Sequence, residues 1–321
     1  MMFCCRLILS LLQALCFVVL LIPGEHKNQV AGSSAVGQLL DMLYASSAAV
    51  YGLTVLQDEL YIARDRSNVI EVFDVTVPLT SSSSCHRRLA VGTTTLPKQV
   101  RPLDLASCAA SRSLYVSDAA NCRIHRVEPA SGGVVDSWRV DARPWGVSVT
   151  AGGTVLVCCR GAGLLCEYTS SGQLVRRIKL PEDVSQPVHA VEVRSQFVVS
   201  HYDVDESNST GARVCVVNDT SAIQRDHCQL SQPHHLAAVC DDARSLVVVA
   251  DCGNDRVKFL DAVTLNVVAV VGGSRHLRRP HRLCVREGRL FVGQWDGHVL
   301  VYQLSDILSS TASSAQLSSA V

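Results

Sequence analysis

From residue 50 onward the chain alternates short apolar runs with polar turns. One set of runs is rich in β-branched and aromatic residues: Leu60-Tyr61-Ile62-Ala63, Leu114-Tyr115-Val116-Ser117, Val155-Leu156-Val157-Cys158, Phe197-Val198-Val199-Ser200, Val247-Val248-Val249-Ala250 and Leu290-Phe291-Val292-Gly293. Such residues suit a pleated, half-buried surface, so each run predicts a strand. Each is preceded by a second type of strand that opens on proline: Pro102-Leu103-Asp104-Leu105, Pro144-Trp145-Gly146-Val147, Pro187-Val188-His189-Ala190, Pro233-His234-His235-Leu236 and Pro280-His281-Arg282-Leu283. The prolines are 42, 43, 46 and 47 residues apart, and Val50-Tyr51-Gly52-Leu53 is the same phrase without its proline. A third strand follows a turn, as at residues 123–127, 164–168, 213–217, 256–260 and 298–302, and a fourth is readable at 135–140, 173–180 and 265–271.

Four short strands in each unit of forty-odd residues predict an all-β fold, a six-bladed β-propeller of four-stranded antiparallel blades over residues 49–304. A lone four-stranded sheet cannot bury both faces until neighbours stack on it. The sixth copy ends after its third strand. Its fourth would have to come from the other end of the chain, within residues 25–48, where Val36, Leu39, Leu40 and Leu43 also fit helical spacing. Residues 305–321 are Ser/Ala-rich and predict a disordered tail.

Three turns between second and third strands carry paired Asp and Asn: Asp65 with Asn68, Asp118 with Asn121, and Asp251 with Asn254. In sequence the last reads VADCGNDRVKFLD. These turns and the proline-led strands resemble NHL-repeat propellers of the TolB-like superfamily, most closely at residues 233–271 and 102–140. The Asp and Asn side chains are expected to tie down backbone N–H groups of the turn, a structural role. Trp295-Asp296 occurs once, so a WD-repeat propeller is disfavoured.

The ends and the composition set the compartment. Residues 1–24 combine one early cation with an apolar run at 7–22 and a Pro23-Gly24 break, the shape of a secretory signal peptide or an uncleaved signal anchor. Asn208 and Asn218 head two glycosylation sequons. Secretion is therefore expected, with single-pass anchoring as the alternative. Membrane contact would come only through the N-terminal segment. Lys+Arg and Asp+Glu are both 29, so there is no global field for nucleic acid. Of 14 cysteines three lie in the targeting segment, which leaves an odd eleven. The spacings of Cys108 with Cys122 and of Cys215 with Cys228 are compatible with bridges between adjacent strands.

Candidate chemistry lies where the first strands would line a central channel. The second residue after each proline forms a ring: Gly52, Asp104, Gly146, His189, His235 and Arg282. Two imidazoles and a carboxylate suit a divalent metal such as zinc or calcium, so Asp104, His189 and His235 are candidate ligands. The resemblance carries precedent, since peptide-amidating lyases hold zinc through inner-strand histidines and gluconolactonase-type propellers use carboxylates and Asn there. The leading expectation is that no cofactor is held and both histidines hydrogen-bond backbone carbonyls to fix blade ends, with the metal as the alternative. Residues 275–282 concentrate Arg275, Arg278, Arg279 and Arg282, which predicts a basic patch on a connecting loop. Intracellular TRIM-NHL relatives bind RNA on such a face, but zero net charge in a secreted chain argues against it. No G-x-S-x-G, H-E-x-x-H, Walker loop or G-x-G-x-x-G motif is present. The reading is a binding scaffold for a protein or glycan on a propeller face. The alternative is a metal-dependent lyase or lactonase working in the channel.

Overall fold

Each repeat begins a strand at or beside its proline, or at Val50, because a residue that lacks an N–H is tolerated at the start of a strand. The computed structural model describes residues 39–44, 46–80, 82–91, 99–184, 186–202, 212–218, 223–227, 229–240, 244–272 and 276–309. The targeting segment, Asn208, Cys228, Arg275 and the chain after 309 lie outside the described residues. Among those described, no helix is long and apolar enough to cross a membrane.

Among the described residues the first strand is β1 (Leu39–Tyr44). It is followed by β2 (Val50–Leu56), β3 (Glu59–Arg64), β4 (Val69–Asp74) and β5 (Arg87–Ala90). Next come β6 (Pro102–Cys108), β7 (Ser113–Asp118), β8 (Arg123–Glu128) and β9 (Gly133–Arg139). β10 (Pro144–Val149), β11 (Val155–Cys159), β12 (Leu164–Tyr168) and β13 (Leu174–Lys179) form one antiparallel sheet in sequence order. So do β14 (Gln186–Val193), β15 (Gln196–Tyr202), β16 (Arg213–Val217) and β17 (Ile223–His227). The same holds for β18 (Pro233–Cys240), β19 (Ser245–Asp251), β20 (Arg256–Asp261) and β21 (Val267–Gly272). The last three are β22 (Pro280–Arg286), β23 (Arg289–Gln294) and β24 (His298–Gln303). β1 pairs antiparallel with β24, so the N-terminal strand supplies the fourth member of the last sheet. β2–β5 and β6–β9 make the two halves of an eight-stranded sheet joined at one partner pair, Ala90 with Gly133.

The first strands pack side by side, β2 on β6, β6 on β10, β10 on β14, β14 on β18, β18 on β22 and β22 back on β2. They close a ring around a channel. The core lies between neighbouring sheets. Tyr115 and Ile124 of one, for example, are buried with Val157, Cys166 and Tyr168 of the next. Burying one such side chain contributes about 1.5–3 kcal/mol, and here the buried face of each sheet exists only because a neighbour covers it.

Several details differ from expectation. Residues 304–309 form a short helix with Ile307 fully buried, so ordered chain runs past the expected end at 304. Ile307 is apolar enough to seat beneath the last strands, which a Ser/Ala average hides. Asp118 and Asp251 both hold the Asn of their turn, but only Asp118 also takes N–H groups of that turn. Asp118 accepts the backbone N–H of Ala120 and Asn121 and the Asn121 amide. Asp251 accepts the N–H of Ser231 and the Asn254 and Arg256 side chains. Asp65 does not belong to this set. Pro102 pairs with Asp118 and Pro233 with Asp251, but Val50 pairs with Arg64, one residue earlier than Asp65. Asp65 instead meets Arg101 at 3.2 Å, and Asn68 is exposed. Arg64 takes the buttress position by reversing the charge: it pairs with Glu71 at 2.7 Å and donates to the Ala48 and Gly297 carbonyls. Cys108 and Cys122 cannot bridge. Cys108 faces Ser113 at one end of β7, whereas Cys122 lies just beyond Asp118 at the other, five residues away, or roughly 17 Å along a strand.

Candidate functional site

Every first strand carries a register irregularity just after its opening residue, for instance between Pro102 and Asp104, Pro187 and His189, and Pro280 and Arg282. A β-bulge bends a strand and re-aims one side chain. Here it accompanies the third residue of the phrase, the position of the ring. Small residues stand opposite in the register, Ala63 to Gly52, Ser117 to Asp104, Ser200 to His189 and Gly293 to Arg282. The ring's bulk is therefore free to occupy the axis.

Asp104, His189, His235 and Arg282 do converge there, all buried. Ligand atoms of Asp104, His189 and His235 lie within 4.8 Å of one another, close enough to surround a metal ion. Asp104 is the hub. Its Oδ1 accepts the Leu105 N–H and its Oδ2 the Val147 N–H, each at 3.0 Å. His189 Nε2 lies 3.4 Å from Oδ2, His235 Nε2 3.4 Å from Oδ1, and Arg282 Nε 3.3 Å from Oδ1. Arg282 also donates to the carbonyls of Tyr51, Leu103 and His281, thereby clamping β2, β6 and β22 together. The two imidazoles stack with ring centroids 3.8 Å apart.

Burial acts on each of these groups. By itself it would push the Asp104 carboxyl up, but His235, Arg282 and His189 facing it hold it at about 2. His189 is driven down to about 3, first by burial and then by its neighbour His235. His235 and His281 shift down for the same first reason, and His234 falls to about 3 through burial and the Arg282 charge. At neutral pH the axis holds one carboxylate, one guanidinium and neutral imidazoles.

The cluster could hold a metal ion, but several of its donor atoms already face partners of their own. His189 Nε2 also faces the Val147 carbonyl at 3.3 Å, and a carbonyl only accepts, so that nitrogen carries its hydrogen. Both Asp104 oxygens already face backbone N–H groups, and Arg282 supplies the balancing cation. The absence of side chains at two ring positions is equally specific. A Cβ on Gly146 would lie 2.5 Å from the Val188 carbonyl and 2.8 Å from His189 Cδ2, and one on Gly52 would lie 2.5 Å from Leu105 Cγ. Gly146→Ala is expected to displace the His189 ring and lower stability by about 1–3 kcal/mol, read as an unchanged denaturant slope with a shifted midpoint.

The basic patch divides. Arg278 and Arg279 are exposed, while Arg282, expected on the same loop, is 3% exposed inside the channel, and His281 beside it is buried too. The strand starts at Pro280, so the bulge turns position 282 inward. What the sequence reading missed is an aromatic and arginine crown above the ring, at the ends where the first strands begin. Three repeat positions build it. Immediately before the proline stand Arg101, Arg143, Gln186, Gln232 and Arg279; immediately after it, Tyr51, Trp145, His234 and His281. Arg160 and Trp295 stand one residue beyond β11 and β23, and Tyr202 ends β15. The Arg160 guanidinium lies 4.6 Å from the Trp145 ring centre and 5.6 Å from that of Tyr202. Arg143 lies 5.4 Å from Trp145, and Arg279 5.0 Å from Trp295. Trp295 meets Tyr51 and His281 edge to face. Reading the columns on either side of the proline, rather than the ring column alone, would have exposed this set.

Known structures share this overall fold. Hydrazine synthase of Kuenenia stuttgartiensis matches with a TM-score of 0.56 at 12% identity, covering 87% of this chain and 99% of that one. Virginiamycin B lyase from Staphylococcus aureus gives 0.58 at 12%, covering 82% and 98%. A streptogramin B lyase gives 0.55 at 12%, covering 81% and 96%. The chain is a β-propeller. No family model and no curated protein matches the sequence. At such identities the propeller likeness carries the fold, not the reactions of those proteins.

Proposed function

We propose that this propeller has six blades and acts as a secreted or membrane-anchored scaffold that binds a protein or glycan on the crown face. The blade count rests on the closed ring of first strands and on the single partner pair that joins the halves of the eight-stranded sheet. The observation that carries the binding reading is the crown itself. Trp, Tyr and Arg dominate binding hot spots, because a rigid aromatic face and a planar guanidinium lose little freedom on contact. An arginine stacked on an indole still presents N–H groups at its edge, suited to a carboxylate or sulfate. Secretion rests on residues 1–24 and the sequons at Asn208 and Asn218, the latter half-buried at the end of β16. N-terminal sequencing and a glycosidase mobility shift of protein made in secretory cells test that part.

The binding test uses an immobilised sulfated polysaccharide and an acidic peptide array. Trp145→Ala and Arg160→Ala should each weaken retention of whichever ligand binds by at least about tenfold, with unchanged circular dichroism. Retention that ignores both substitutions would remove the crown from the binding site. The channel lyase or lactonase alternative is favoured by the 4.8 Å cluster and opposed by Arg282. Zinc or calcium in excess is expected to leave the Tm unchanged, whereas a rise that grows with metal concentration would revive the alternative.

A further inference from the structure

On the side of the ring away from the crown, the first strands enclose an open cavity of about 220 Å³. Aliphatic side chains, Leu53, Leu105, Val149, Val191, Leu236 and Leu283 among them, share its walls with polar groups, and His189 and His235 also line it. The polar wall groups have spent their hydrogens. Thr54 donates to Ser107 at 2.9 Å, Ser107 to the Val55 carbonyl at 2.9 Å, and Ser148 to the Ala190 carbonyl at 2.7 Å. What these hydroxyls have left to offer is oxygen lone pairs. The remaining polar groups are His189 and His235, whose Nδ1 atoms are buried without a hydrogen-bond partner among the described residues, and Glu192, whose Oε2 accepts the Ala151 N–H at 3.1 Å. Among the described residues no cation pairs with Glu192, and no Lys or Arg lines the cavity. The carboxylate of Asp104 is already matched by Arg282.

We propose that this cavity is a binding site for a small organic ammonium ion, an amine with an apolar body the size of a single ring. An acceptor-lined wall with one unmatched carboxylate selects a ligand that brings donors and a positive charge, and the aliphatic walls select its body. Size agrees, since a cavity of about 150 Å³ holds benzene. The site is separate from the crown, so it stands or falls independently of the scaffold reading.

Calorimetric titration of the full chain with benzylammonium, benzyl alcohol and benzoate tests it. Benzylammonium should bind at least about tenfold more tightly than the alcohol, with benzoate weakest. Glu192→Gln keeps an oxygen for the Ala151 N–H and should erase that difference without moving the urea midpoint of the unliganded protein. Cys284 lines the same cavity, so benzylammonium should also slow its alkylation. No binding, equal binding of ammonium and alcohol, a Glu192→Gln variant that keeps the preference, or unprotected Cys284 would each overturn the proposal.

Discussion

Asp104→Asn is expected to lower the free energy of unfolding by about 3–5 kcal/mol, because it leaves the Arg282 guanidinium buried without its counter-charge. Removing both partners should cost far less. Asp104→Asn combined with Arg282→Met leaves no orphaned charge, and the double-mutant cycle should show coupling of more than about 2 kcal/mol between the sites. Urea denaturation of the four proteins measures it. Additive single effects would mean that Arg282 is held by the carbonyls of Tyr51, Leu103 and His281 alone, with Asp104 a bystander.

A second large effect is expected with acid. His189 and His234 titrate near 3 in the folded protein against about 6.5 when unfolded, so between these values the unfolded chain binds more protons. Stability is then complete above about pH 6.5 and falls with pH, by about 1.4 kcal/mol per unit for each histidine. At pH 5 the two together remove roughly 4 kcal/mol, a large share of the 5–15 typical of a domain. Asp104 acts in the same direction but lower: its depressed value keeps its contribution intact above about 4 and loses it as pH falls through about 2. Urea midpoints should therefore fall steeply between pH 6.5 and 4.5, and His234→Gln should flatten the slope. A profile level from pH 7 to 5 would show that these imidazoles are protonated in the folded state.

The repeat was legible because strand periodicity and proline spacing are local properties, and the ring was legible because equivalent positions in a repeat occupy equivalent places. The use of the ring was harder to read. Arg282 sits both in the ring column and within a run of arginines, and its charge suggested the surface. Only the bulge after Pro280 and the proximity of Asp104, from a blade far away in sequence, turn it inward. The metal-binding residue types likewise converge, with the Arg282 guanidinium beside them. Arg64 escaped notice because it performs the work of Asp118 and Asp251 with the opposite charge, for which a motif search has no term. The crown was missed because Trp145, Arg160 and Arg279 come from different columns of the repeat and meet only when neighbouring blades stack.

The pairing of β1 with β24 sets an order of events in synthesis. Leu39 partners Tyr302, so the first strand leaves the ribosome long before the strand it needs. At roughly 5–20 residues per second the wait is on the order of ten to fifty seconds. Throughout it the last blade does not exist, and β1 is an unpaired edge open to other chains. Intermediate blades can assemble on their neighbours as they emerge, but the circle is locked by its oldest and youngest strands together. The vulnerable species in this protein's life is the nearly complete open arc, and a folding helper that shields residues 39–44 would act at the one step the rest of the chain cannot hasten.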